Sequence, residues 1–190
     1  MSKPLTVSLV IVSRNRPENL RRLLVSLRFL DHPEFEVIVV SDIDPAKDLP
    51  DLWGREKIKF IHFDAPNISQ ARNLGLAEAS GRIAAFIDDD AVPEPSWLSH
   101  LTAPFADEQV GAAGGYVRGR NGISFQWTAR SFDRCGQHHP LDVTGTGPQV
   151  MQGNARLGIK TEGTNCAFRR DALLALGGLD PNFRYYLDET

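Results

Sequence analysis

The chain has 190 residues, 42% apolar and 24% charged, with 16 glycines and 12 prolines, a composition that fits one substantial globular core and is short for two. A net charge of −3 advertises neither a nucleic-acid surface nor a polybasic membrane anchor, and an anionic ligand would need helix ends, a few arginines or a metal. The two cysteines, Cys135 and Cys166, form no CxxC pair and no disulfide scaffold, which points to a reduced, cytoplasmic setting.

The opening MSKPLTVSLVIVSRNRPENL lacks a small-residue cleavage site and is too short to span a bilayer. Its core, Leu5–Val12, reads as a buried strand rich in β-branched residues that empties into Ser13, Arg14 and Asn15. Pro17 then opens a helix, where its missing N–H costs nothing, and Leu20, Leu23, Leu24, Leu27 and Leu30 give it one apolar face. Phe35–Val40 is a second buried strand running into Ser41 and Asp42, and Lys57–Phe63 alternates like a strand with one exposed face. Over 68–80 the pattern is helical, with Ile68, Ala71, Leu74, Gly75 and Ala79 on one face and Gly81 where a C-terminal cap belongs.

Arg82–Ile87 is a fourth strand, followed at once by Asp88, Asp89 and Asp90. A short helix is expected over Pro93–Phe105 and a strand over Val110–Val117. Arg118–Ile159 is polar and glycine-rich without a sustained period, and reads as a strand or two plus a long loop. Order returns at Thr161–Arg169, then a helix in DALLALGG and a turn at Asp180–Pro181. The strand–helix alternation predicts an open, mainly parallel α/β sheet with helices on both faces. The chain stops at YYLDET, directly after an apolar and aromatic patch, as one domain of a longer protein would.

In such sheets ligands sit beyond the carboxyl ends of the strands, where Ser13, Arg14, Asn15, Asp42 and Asp88–Asp90 accumulate from segments distant in sequence. Alternation along an extended segment would aim Asp88 and Asp90 the same way and Asp89 elsewhere. Two carboxylates beside a diphosphate are the usual holders of Mg2+ or Mn2+, and a divalent ion would offset their repulsion. The alternative for these residues is a solvated acidic turn. His138 and His139 beside Asp133 and Cys135 have the wrong spacing for a zinc motif and read as a polar loop. Trp97 and Trp127 read as packing residues rather than sugar platforms.

Four stretches carry a resemblance: VSLVIVSRNRPENL, VIVVSD, ISQARNLGLAEASGRIAAFIDDDAVPEPSWL and GTNCAFRRDALLALGGLDPNFRYYLDET. In that order they resemble the inverting family 2 glycosyltransferases of the GT-A fold, a Rossmann-like three-layer α/β/α arrangement with a mainly parallel central sheet. The likeness covers most of residues 5–117 and 161–190. It implies one glycosyltransferase domain over 1–190, with a nucleotide-sugar-binding part to residue 117 and a truncated acceptor-side part from 118. It also implies a nucleotide-diphosphate sugar as donor and a glycan, lipid-linked or other hydroxyl as acceptor. Contact with the inner face of a membrane would come only through parts beyond this chain.

By the same resemblance Asp42 would bind the nucleotide base with Ser13 and Arg14 beside it. Arg72 would approach the nucleotide or diphosphate, the alternative being an exposed helix arginine paired with Glu78 or Asp64. Asp88 would contact the ribose or sugar and Asp90 the metal, with Asp89 sharing either role. Gly163, Thr164 and Asn165 would line the donor-sugar or acceptor pocket. Of the final acidic pair, Glu189 aligns with the catalytic base and Asp188 precedes it, and either carboxylate suits the chemistry. Two other readings stay open: a phosphohydrolase of the haloacid dehalogenase type, in which the first Asp is a nucleophile, and a nucleotide-sugar-binding fragment inactive by itself.

Overall fold

The computed structural model describes residues 6–52, 54–126, 129–143, 149–154 and 156–185. Trp127 and the Asp188–Glu189 pair therefore lie outside the described residues. The central six-stranded sheet has the order β3-β2-β1-β4-β9-β5, with β1 Val7–Ser13, β2 Phe35–Ser41, β3 Ile58–His62, β4 Ile83–Asp88, β5 Ala112–Gly114 and β9 Cys166–Arg169. β1 pairs in parallel with both β2 and β4, and β2 with β3, while β9 runs antiparallel between β4 and β5. The carboxyl ends of β1, β2, β4 and β5 consequently share one edge.

Strands buried on both faces read as continuous apolar runs, and alternate residues divide between two cores. Val7, Leu9 and Ile11 of β1 and Ile83, Ala85 and Ile87 of β4 pack with Leu20, Leu23 and Leu24 of α1 (Pro17–Ser26) and Leu98 and Leu101 of α4 (Trp97–Thr102). On the opposite face Val10, Ala84 and Phe86 meet Leu76 of α3 (Ile68–Glu78) and Leu173 of α5 (Arg170–Ala175). The expected mainly parallel sheet with helices on both faces is what forms. A one-turn helix, α2 (Pro45–Asp48), follows β2, its start capped by the Asp44 side chain, which accepts from the Ala46 N–H at 2.9 Å.

Several local expectations are corrected. The α1 helix stops at Ser26 and tightens into a 3-10 turn over Leu27–Phe29, leaving Leu30 extended, though still packed on the core. In α3 it is Leu76, not Leu74, that is buried, because the helix lies with its Ala71, Arg72, Gly75 and Leu76 side against the sheet. Gly81 is not a left-handed cap: the helix is closed at Ala79 with an extended backbone. It is glycine because a Cβ there would stand 2.6 Å from the Ser8 backbone nitrogen, where the chain enters β4 beside β1. The strand expected over 110–117 shrinks to Ala112–Gly114.

Residues 118–159 hold more order than their composition suggests. Arg118 and Phe125 bridge a hairpin, and β6 (Arg130–Asp133), β7 (His138–Pro140) and β8 (Leu157–Ile159) form a separate three-stranded antiparallel sheet in the order β7-β6-β8. The two histidines thus stand in a strand rather than a loop, with His139 Nε2 3.3 Å from Asp133 Oδ2. Cys135 is exposed and Cys166 buried, and both are free thiols.

Candidate functional site

β1 ends by changing conformation. Asn15 takes the left-handed region at φ 55, which an Asn tolerates better than most residues, and this turns its N–H onto Asp42 Oδ1 at 2.8 Å. Asp42, one residue past β2, is thereby tied to the end of the neighbouring strand. Arg14 reaches across to the carbonyl of Asp64 at 3.2 Å, just beyond β3. Ser13, Arg14, Asn15 and Asp42 are therefore brought together as one ledge along the carboxyl edge.

β4 delivers the aspartates, and the chain turns at once, the Ala91 N–H donating to the Asp88 carbonyl at 3.1 Å. The three carboxylates part company. Asp89 turns inward: it is buried, accepts a hydrogen bond from Ser13 Oγ at 2.7 Å and lies 3.2 Å from an Arg16 nitrogen. Asp88 faces the α3 side, where the Arg72 guanidinium meets its Oδ1 at 3.2 Å. Asp90 is open to solvent, its Oδ2 3.8 Å from the same Arg16 nitrogen that holds Asp89.

Arg72 is buried, which removes the exposed pairing with Glu78 or Asp64 as an explanation for it. Besides Asp88, it donates to the Gly163 carbonyl at 3.0 Å and its guanidinium carbon stands 5.6 Å from the Phe86 ring centroid. Gly163 has room for this only without a side chain: a Cβ would lie 2.9 Å from an Arg72 nitrogen. The next residue, Thr164, favours the charged form of Asp88. Asn165 is buried with both ends of its amide engaged, Oδ1 accepting from Trp97 Nε1 at 2.9 Å and Nδ2 donating to the Tyr116 carbonyl at 3.1 Å. Trp97 packs partly against the core, as expected of it.

Burial pushes the Asp88 carboxyl above the ordinary carboxylate range. Arg72 and Thr164 oppose that push, while the neighbouring charges of Asp90 and Asp89 add to it. A raised carboxyl beside a second one is a site where a cation would be welcome, and an all-oxygen pair suits a hard ion such as Mg2+ or Mn2+. Among the described residues no group of three or more His, Cys, Asp or Glu side chains is arranged to hold a metal. Such an ion would therefore draw its remaining ligands from the substrate and water, as Mg2+ ordinarily does.

Two contributors escaped the sequence reading. Arg16 stands in the SRNR segment at the end of the first strand, so its position was visible, but its role as the counter-charge to Asp89 and Asp90 needed the fold. Asn73, next to Arg72, binds the Leu179 backbone, a partner 106 residues away that no local pattern announces.

The profile of glycosyl transferase family 2 matches residues 8–177. Succinoglycan biosynthesis protein ExoM of Rhizobium meliloti is 32% identical over 184 residues, 93% of this chain and 55% of that protein. The pre-mycofactocin glycosyltransferase of Mycobacterium tuberculosis is 36% identical over 107 residues, 55% of this chain and 22% of that protein. The chain thus spans about half, or less, of the length of these curated relatives. Among solved structures, the mannosyltransferase PcManGT of Pyrobaculum calidifontis, in complex with GDP-Man and Mn2+, matches with a TM-score of 0.66 at 20% identity, over 93% of this chain and 48% of that one. The S. aureus TarS fragment 1-349 with UDP matches with a TM-score of 0.68 at 18% identity, over 97% of this chain and 53% of that one. These likenesses establish the fold as GT-A. A haloacid dehalogenase reading is left without support, since its aspartate would end the first strand of the domain and Asp88 ends β4. With the profile spanning nearly the whole chain, the protein belongs to glycosyl transferase family 2.

Proposed function

We propose that the full-length protein transfers a sugar from a nucleotide-diphosphate sugar to an acceptor hydroxyl with inversion at the anomeric carbon, and that this chain supplies the donor site. The observation that carries the reading is the parting of the aspartates at the end of β4. Asp88 and Asp90 stay at the ligand edge, Asp89 is spent on Ser13 and Arg16, and Arg72 backs Asp88 from a buried position. Asp90 with Asp88 would hold Mn2+ or Mg2+, which when bound would neutralise the leaving diphosphate.

The ledge of Ser13, Arg14, Asn15 and Asp42 receives the nucleotide, Asp42 taking the base and Arg14 closing its side. Arg72 holds Asp88 against the ribose or sugar and aims positive charge toward the diphosphate. Asp89 acts on the nucleotide through the ends of β1 and β4 that it links, and Asn165 keeps the 163–165 turn at the sugar end. Glu189 or Asp188 takes the proton from the acceptor hydroxyl as its oxygen attacks the anomeric carbon. The solved relatives' own ligands, GDP-Man with Mn2+ in one and UDP in another, support a donor of this class. The name of the Rhizobium relative supports a polysaccharide or glycoconjugate product. Among the described residues no helix is long and apolar enough to cross a membrane.

Calorimetry with UDP and GDP tests the reading. Binding is expected only with Mn2+ or Mg2+ present, and Asp90→Ala is expected to weaken it at least about ten-fold, the size of a lost charge-assisted contact. Undiminished metal-dependent binding by Asp90→Ala would refute it.

A further inference from the structure

Successive residues of α3 serve different segments of the chain. Arg72 turns to Asp88 and Gly163, while Asn73 gives both ends of its amide to a single backbone residue. Its Oδ1 accepts from the Leu179 N–H at 2.8 Å and its Nδ2 donates to the Leu179 carbonyl at 2.7 Å. Further up the helix, Asn67 caps the first turn with Oδ1, accepting from the Gln70 N–H at 2.9 Å, and donates from Nδ2 to the Pro181 carbonyl at 2.9 Å. Ser69 Oγ donates to the Phe183 carbonyl, and the Ile68 N–H donates to the Arg184 carbonyl at 3.0 Å. Residues 179–184 are thus laced along the first turns of α3 as a strap.

The approach is shaped to allow this. Gly177 and Gly178 both sit at positive φ, 93 and 80, and a Cβ on Gly178 would stand 2.5 Å from Asn73 Oδ1. Leu179 is buried in the core with Val10, Leu76 and Phe86. An apolar anchor by itself tolerates small slips. An amide that pairs with both the N–H and the C=O of one residue does not, because a shift of one residue breaks both bonds. The lacing fixes register as well as proximity.

We infer that Asn73, supported by Asn67 and Ser69, is a positioning residue for the transfer step: it fixes the strap from which the acidic pair Asp188–Glu189 continues, on the same helix whose Arg72 holds the donor-side Asp88. This rests on the proposed assignment of the base to that pair. Glu189 follows Tyr185, the last described residue, by four residues.

The test compares the full-length wild type with Asn73→Asp, Gly178→Ala and the double variant Asp188→Asn/Glu189→Gln. Asn73→Asp keeps the shape, loses the amide donor and sets a carboxylate against the Leu179 carbonyl. Gly178→Ala disturbs the same contact from the strap side, should the first variant fold poorly. Nucleotide binding is read with UDP and GDP plus Mn2+, and turnover as UDP or GDP released from UDP-glucose, UDP-galactose, UDP-N-acetylglucosamine and GDP-mannose. Hydrogen exchange over 179–185 reports the strap. All variants are expected to bind nucleotide within about two-fold of wild type and to lose turnover by about 10–100-fold, the penalty of a misplaced catalytic group. Exchange over the strap rises in the first two variants and not in the double variant. A loosened strap with turnover intact overturns the inference, as does a loss of nucleotide affinity equal to the loss of turnover. A wild-type-like Asn73→Asp beside an inactive double variant overturns it while sparing the proposed base. Full turnover in the double variant removes the base assignment and the inference together, and release from none of the donors by wild type removes the proposed transfer itself.

Discussion

Replacing Arg72 with Met tests whether the buried guanidinium is the main support of Asp88. Methionine fills similar space and removes the charge, leaving Asp88 without its 3.2 Å partner and the Gly163 carbonyl without its 3.0 Å donor. Breaking one side of a fully buried pair costs about 3–5 kcal/mol. Asp88 keeps 43% of its side chain accessible, so water recovers part of that, and about 2 kcal/mol is the reasonable share. The lost bond to the Gly163 carbonyl adds about 1 kcal/mol, for a total near 3 kcal/mol at pH 7.5.

The pH dependence has a definite sign. Burial raises Asp88 in the folded state, so its protonated form favours folding, and that contribution is full below the unfolded pKa and lost as pH rises through the folded one. Without Arg72 the folded value moves higher still. The deficit of Arg72→Met relative to wild type should therefore be smaller in acid, tending to about 1 kcal/mol as Asp88 becomes protonated, and grow toward pH 7.5. Urea unfolding across the acid-to-neutral range reads this directly, as a midpoint loss that falls toward about 0.5 M in acid and reaches about 1–1.5 M at pH 7.5, at an unchanged slope. A deficit equal across that range, or larger in acid, would show that Arg72 acts through packing on Phe86 and not through Asp88.

Gly75→Ala is expected to destabilise, because its Cβ would lie 2.4 Å from Val10 Cγ1 in the β-branched core under α3. Overpacking of about 1–3 kcal/mol exceeds the gain of about 1 kcal/mol from helix propensity, so thermal melting should fall by a few degrees. Glu36 should contribute an acid-sensitive part of stability. Burial pushes its carboxyl up, yet hydrogen bonds from Ser8, Ser80 and Gly81 outweigh this and hold it below the ordinary range. A depressed folded pKa gives stability that is present above the unfolded value and lost as pH falls through the folded one. Glu36→Gln should flatten the acid limb of the stability curve between about pH 5 and pH 3, measured by urea unfolding.

The sheet could be read from the chain because its strands are buried on both faces and its helices carry long apolar faces. Residues 5–12 and 35–40 leave little choice but a central strand, and the polar residues that follow them had to gather at one edge. The 118–159 region hid its order for the opposite reason. β6, β7 and β8 are three or four residues long, and β7 is wholly exposed, so no hydrophobic period marks them. The spacing that points to Leu74 is weak evidence in a weakly amphipathic helix, and the close approach permitted by Gly75 turns Leu76 inward instead. Gly81 looked like a cap by position, and only the distance to Ser8 gives its reason. At the site, the residue types were legible and the partnerships were not. Arg16, Asn73 and the doubly engaged Asn165 amide all depend on contacts between segments far apart in sequence.

The run of aspartates is the sharpest case of that difference. Neighbouring carboxylates about 4 Å apart repel by about 4 kcal/mol at the effective dielectric of a protein surface, so three in a row need an answer from the fold. The chain answers with two arginines placed on opposite sides: Arg16, from the end of β1, meets Asp89 and lies near Asp90, and Arg72, from α3, meets Asp88. Among the described residues, two cations against three anions leave the cluster with one negative charge uncompensated, Arg72 meeting the cluster from a buried position and Arg16 from an exposed one. The charge that remains faces the edge where β1, β2 and β4 end. Had the fold supplied a third cation, the cluster would be an internally satisfied salt-bridge network with little to offer a ligand. The shortfall, together with a carboxyl on Asp88 already pushed up by burial, is what makes a divalent ion with a nucleotide diphosphate the ligand class to test first.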